Sequence, residues 1–91
     1  MAVVAVKIKV LPESPETDLD KMKVEIEKHL IKEGAIKINS IEEEPIAFGL
    51  KALIVFFAWP EEKETSLAED VIKKIESVSS VEIIDYRRAF G

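Results

Sequence analysis

Residues 3–12, VVAVKIKVLP, alternate strictly: Val4, Val6, Ile8 and Val10 fall on one side of an extended chain, Val3, Ala5, Lys7 and Lys9 on the other. Successive side chains of a strand point to opposite faces, so this period of two predicts a strand. The prolines of PESPET end it. The period then becomes helical. In DLDKMKVEIEKHLIKEG, Leu19, Met22, Ile26 and Leu30 recur at helix spacing, acids crowd the first turn, and Gly34 supplies a stop. Thr17 or Asp18 is the expected N-cap.

The second half repeats this alternation of periods. AIKINSIEEEPIAFG starts with Ile36 and Ile38 and then carries Glu42, Glu43 and Glu44 before Pro45. It predicts a strand that turns irregular or bulged near the proline. LKALIVFFAWP is apolar on both faces, as a well-covered strand would be. Pro60 stops it, and EEKET forms a polar loop. SLAEDVIKKIESV opens with Ser66 and Glu69 at capping-box spacing, with Leu67, Val71, Ile75 and Val78 as the expected buried stripe. SVEIIDYRR is the last strand.

The order β-α-β-β-α-β implies an α+β, ferredoxin-like sandwich: a four-stranded antiparallel sheet with two helices on one face. The other face is expected to show Lys7 and Lys9 with Val55 and Phe57 or their neighbours. With 91 residues, the chain is expected to form a single domain, residues 1–91.

Composition narrows the chemistry. The formal net charge is −5, and phosphate contacts need clustered positive charge, so no direct nucleic-acid partner is expected. The sequence has no cysteine, which removes disulfides, thiol catalysis and cysteine-bound metals. MAVVAVKIKVLP lacks a charged segment ahead of its apolar run and is a poor signal peptide. No apolar stretch approaches the roughly 20 residues of a membrane span. The expectation is a cytoplasmic protein without membrane contact.

Catalytic groups are equally sparse. His29, the one histidine, has only Glu33 within helical reach ahead of it and reads as a helix-surface or half-buried residue. Glu42 to Glu44 would alternate in direction along an extended chain, so they read as a solvated acidic loop rather than a metal site. In EDVIKKIE, Glu69 and Lys73 are an expected exposed i,i+4 pair. The glycines at 34, 49 and 91 are isolated and form no phosphate loop. The first loop, LPESPET, lacks the arginine by which acylphosphatases of this fold bind phosphate. RNA-recognition domains share the topology and stack bases on central-strand aromatics, which leaves a stand-alone RNA- or ligand-binding module as the alternative. No enzyme activity, cofactor or metal is expected. What remains is protein binding, at PIAFGLKAL, where Phe48 could be exposed or core, and at DYRRAFG, which holds the chain's only arginines, Arg87 and Arg88.

PIAFGLKAL, SVEIIDYRR and the chain length together resemble the archaeal elongation factor 1-beta family, the guanine-nucleotide exchange factors of elongation factor 1-alpha. The resemblance spans essentially the whole chain. PIAFGLK is similar to the eukaryotic members' proline, aromatic–glycine, hydrophobic–lysine pattern, and the tail resembles their hydrophobic strand leading to an aromatic and a terminal lysine. It implies a translation elongation factor that promotes GDP release and GTP loading on elongation factor 1-alpha. It further implies that Phe48 contacts the GTPase and that Arg88 stands where eukaryotic members insert a lysine at the magnesium and γ-phosphate region. Arginine for lysine is a departure, because a planar guanidinium is not a point charge. Arg87 could share the role. Neighbours on an extended chain face opposite ways, so one of the two is expected to act, and Arg88 is the preferred candidate.

Overall fold

The computed structural model describes residues 2–88 and runs β1 (Val3–Pro12), α1 (Leu19–Glu33), β2 (Lys37–Pro45), β3 (Lys51–Pro60), α2 (Thr65–Lys73) and β4 (Val78–Arg88). The four strands form one sheet in the order β2-β3-β1-β4, every neighbouring pair antiparallel. This is the ferredoxin-like arrangement.

The alternation of β1 fills the core directly. Val4, Val6, Ile8 and Val10 are almost completely buried, and across the ladder they face Trp59, Phe57, Val55 and Leu53 of β3. Met22, Ile26 and Leu30 of α1 and Ala68 and Ile72 of α2 close the same face. Phe57 and Trp59 meet edge to face, ring centres 5.9 Å apart, a favoured aromatic geometry. Asp18, not Thr17, caps α1, its carboxylate accepting the Lys21 N–H at 3.2 Å. Gly34 ends the helix at φ 122°, a conformation few other residues adopt.

Of the alternatives for the open face, the neighbours hold: Val55 and Phe57 lie on the helix side, and Ile54 and Phe56 share the open face with Lys7 and Lys9. Two elements, β2 and α2, need correction. The irregularity of β2 falls between Ile38 and Ser40, not near Pro45. The strand pairs regularly through Glu42–Glu44, which therefore belong to a strand and not to a loop. Because β2 is an edge strand, the missing N–H of Pro45 disturbs only its end.

The second correction concerns α2. It starts at Thr65 after Glu64, without a side-chain cap, and Ser66 Oγ donates to Glu64 Oε2 at 3.4 Å instead of forming a capping box. Its buried residues are Ala68 and Ile72; Val71 is partly buried and Leu67 is exposed. Ile75 and Val78 are buried beyond the helix end. A helix this short takes its orientation from the surface it docks on, and that surface selects the face one residue away. Among the described residues, Glu69 and Lys73 form no ion pair.

The last strand, β4, is also irregular. Its pairing with β1 slips between Lys7 and Ile8, opposite Asp85 and Ile83, which leaves Ile84 as the extra residue of a bulge. The strand is anchored by Val78, Val81 and Ile83, whereas Ile84 and Tyr86 are about half exposed.

Candidate partner-binding site

The β2–β3 connection reverses the chain through Ala47–Phe48–Gly49–Leu50. Leu50 N–H donates to Ala47 O at 3.3 Å, and Ile46 N–H to Leu50 O at 2.8 Å. Phe48 sits at φ 63°, ψ 29° and Gly49 at φ 75°, so both central residues are left-handed, the conformation of a type I′ hairpin turn. That turn favours Asn-Gly, because an ordinary side chain in the left-handed region costs about 1–2 kcal/mol. A Cβ on Gly49 would meet nothing within 4 Å, so its glycine answers to the backbone angle alone. Phe48 is 94% exposed. No packing inside the chain compensates for its backbone, and strain of this kind concentrates where a chain meets a partner.

The arginines stand at the other end. Val4 of β1 pairs with Arg88, Ala5 with Arg87 and Val6 with Tyr86. The bulge at Ile84 shifts the phase of β4, so Tyr86 and Arg88 lie on the helix side and Asp85 and Arg87 on the open face. Arg87 Nε is 3.2 Å from Asp85 Oδ2. Arg88 Nη2 donates to Glu61 Oε1 in the turn after β3. That hydrogen bond, reinforced by the charge of the carboxylate, holds the Arg88 guanidinium above its usual pKa. Residues 89–91 of the tail lie outside the described residues.

The two candidate regions are not brought together. Phe48 lies beyond Lys51, while the strand position paired through β1 to Arg88 is Trp59. At about 3.4 Å per residue, they are separated by about 27 Å of strand. The described chain is 41 Å long on its greatest axis. Sequence reasoning missed Glu61 as the partner of Arg88, because no pattern in EEKET links it to a residue 27 positions away.

The remaining candidates stay structural. His29 is half-buried, and its Nδ1–H donates to Glu25 O at 2.7 Å. No group of three metal-ligating residues occurs among the described residues. Glu43 turns to the helix side, 2.9 Å from Lys23 Nζ and 3.7 Å from Lys51 Nζ. The hydrogen bond to Lys23, with its charge, lowers the Glu43 pKa and raises that of Lys23. On the open face, Lys7 lies over the Phe56 ring at 5.5 Å. Glu42, opposite Ile54, and Glu82 and Asp85, opposite Lys9 and Lys7, flank it. A single aromatic between carboxylates is a poor platform for a phosphate backbone. No helix of the described chain is long and apolar enough to cross a membrane.

The profile described as the EF-1 guanine nucleotide exchange domain matches residues 5–89. The chain belongs to this family. Elongation factor 1-beta of Methanosarcina barkeri is 47% identical over 89 residues, covering 97% of this chain and 99% of the relative. The protein of that name from Metallosphaera sedula is 44% identical over 90 residues, 97% of each chain. That of Nanoarchaeum equitans is 48% identical over 86 residues, 90% of this chain and 100% of the relative. The matched span of this exchange-domain family takes in both ends of the sheet, Phe48 as well as Arg87 and Arg88.

Proposed function

We propose that this chain promotes GDP release and GTP loading on elongation factor 1-alpha, with Phe48 anchoring the complex and Arg88 acting at the partner's magnesium and phosphate region. The observation that carries the reading is the mounting of Phe48 and Arg88 at opposite ends of one continuous sheet. A rigid body held at one end by an apolar anchor can drive a charge at the other end into a site the charge alone would not occupy. Family membership supplies the exchange function, and these two side chains supply its points of contact.

The chemistry is electrostatic and breaks no covalent bond. A GTPase holds its nucleotide through a phosphate loop, switch segments and a bridging Mg²⁺. A guanidinium near the ion's position repels it and competes for its ligands. Loss of the ion weakens the grip on the phosphates. Accelerating GDP release about a thousandfold requires lowering the barrier by roughly 4 kcal/mol. By linkage, bound nucleotide weakens the exchange factor as much as the factor weakens nucleotide, so GTP entry expels it.

The test is release of a fluorescent GDP analogue from elongation factor 1-alpha. The wild type accelerates it, and Arg88→Ala suppresses the acceleration while melting like the wild type. Unchanged release with the wild type would overturn the reading. Salt-sensitive binding of single-stranded RNA at physiological ionic strength would favour the alternative of an RNA-binding module.

A further inference from the structure

Arg88 is a long side chain at the end of an edge strand, yet its guanidinium has a fixed partner. Among the described residues, the only hydrogen bond of that guanidinium runs from Nη2 to Glu61 Oε1. Arginine presents five donors in a rigid fork, so a single bond at one corner leaves the others facing outward. Glu61 keeps only 26% of its side-chain surface exposed, against 74% for Arg88. The carboxylate is therefore the more enclosed member of the pair.

The turn that carries Glu61 is fastened from several sides. Glu61 N–H donates to Ala2 O at 3.1 Å, tying the turn to the start of β1. Lys63 N–H closes the turn on Pro60 O at 3.1 Å, and Lys63 O accepts the indole N–H of the fully buried Trp59, also at 3.1 Å. Lys63 Nζ lies 5.5 Å from the centre of the Trp59 ring and donates to Glu33 O at the end of α1. A cation there also suits the negative end of the helix dipole. Glu61 thus projects from a turn bound to β1, the core and α1. Arg87 has no such support, since its partner Asp85 is its neighbour on the same strand.

We propose that Glu61 is a positioning residue for exchange: it holds one corner of the Arg88 guanidinium and aims its remaining donors past the end of the sheet. This rests on the exchange reading and deepens it. An arginine otherwise free to rotate loses rotamer entropy on docking, and a carboxylate that orders it beforehand reduces that loss. The effect belongs to the step in which Arg88 acts, not to the area of the interface.

The experiment is GDP release from elongation factor 1-alpha, titrated with wild type, Glu61→Ala, Glu61→Gln, Arg88→Ala and the Glu61→Ala/Arg88→Ala double variant. Glu61→Ala lowers the maximal release rate about threefold, within the range an exposed charged pair supplies, with little change in the half-saturating concentration. Glu61→Gln, which keeps an acceptor oxygen, recovers part of the loss. In the Arg88→Ala background Glu61→Ala has no further effect, the mark of two residues acting as a unit. Faster release with Glu61→Ala would mean that the carboxylate sequesters the arginine, and would overturn the proposal. So would an equal loss in both backgrounds, or no change at all. If the wild type is active and Arg88→Ala impaired while Glu61→Ala behaves as wild type, only the positioning role falls. If the wild type leaves release unchanged, the exchange reading falls and the role of Glu61 falls with it.

Discussion

At the β2–β3 end of the sheet the exposed group is a phenyl ring on a backbone held at φ 63°, with no packing inside the chain to offset it. At the β4 end the exposed groups are guanidiniums in ordinary strand backbone, each already bonded to a carboxylate. The first end carries its cost in the backbone and leaves the side chain free. The second carries none in the backbone, but its charges must exchange one ionic partner for another. Desolvating a ring yields net affinity, whereas exchanging ion pairs yields only a difference between two similar terms. In the proposed exchange reaction the ring end therefore supplies binding and the arginine end supplies the change of rate.

Four substitutions can break that division, and a fifth tests an ion pair away from both ends. The largest effect is expected from Arg88→Ala, which should reduce stimulated GDP release by about thirtyfold or more, as loss of a charged contact worth about 2 kcal/mol would. Arg87→Ala, on the open face, should cost less than about threefold. Equal effects of the two arginines would remove the distinction between the faces of β4. Next, Phe48→Ala should weaken the complex by about 2 kcal/mol in calorimetric titration, the scale of an interface anchor. Its melting temperature should match or exceed that of the wild type; a large drop would show the ring to be structural.

Phe48→Asn sharpens the comparison. Asn-Gly is the preferred pair for this turn, so chemical denaturation should show a gain of up to about 1 kcal/mol while the affinity falls as it does for alanine. A destabilised Phe48→Asn would disprove the strain argument. The smallest effect concerns the ion pair of Glu43 with Lys23. A lowered carboxylate pKa contributes stability above its unfolded value and loses it as pH falls through the folded one. A raised lysine pKa contributes below its unfolded value and loses it as pH rises through the folded one. Glu43→Gln should therefore be slightly less stable than wild type at neutral pH. The difference should vanish as pH drops below the ordinary glutamate value of 4.5.

The elements were legible because their signals are local. The alternation of β1, the stripe Met22–Ile26–Leu30 and the stop at Gly34 each depend on residues within a few positions. Details set by distant contacts were not. The buried face of α2 is one residue from the sequence-based stripe, because a nine-residue helix is oriented by what it packs on. The phase of β3 was ambiguous for a related reason: a strand apolar on both sides carries no period, and pairing with β1 alone puts Phe57 inside and Phe56 outside. Glu42–Glu44 could be read as alternating but not as paired, since pairing depends on β3.

The candidate site divides in the same way. The sequence by itself identified which side chains to examine, Phe48 beside Gly49 and the two arginines in an otherwise lysine-based set of cations, because residue type and short spacing survive without coordinates. It also determined that neighbouring arginines must face opposite ways. The direction of each depended on a single unpaired residue, Ile84, whose bulge turns Arg88 toward the helices and Arg87 away from them. Exposure of Phe48, separation of the two ends and the pairing of Arg88 with Glu61 came from the tertiary structure alone. Local sequence sets dihedral preference and periodicity, while contacts between distant residues exist only once the sheet has brought its strands into register.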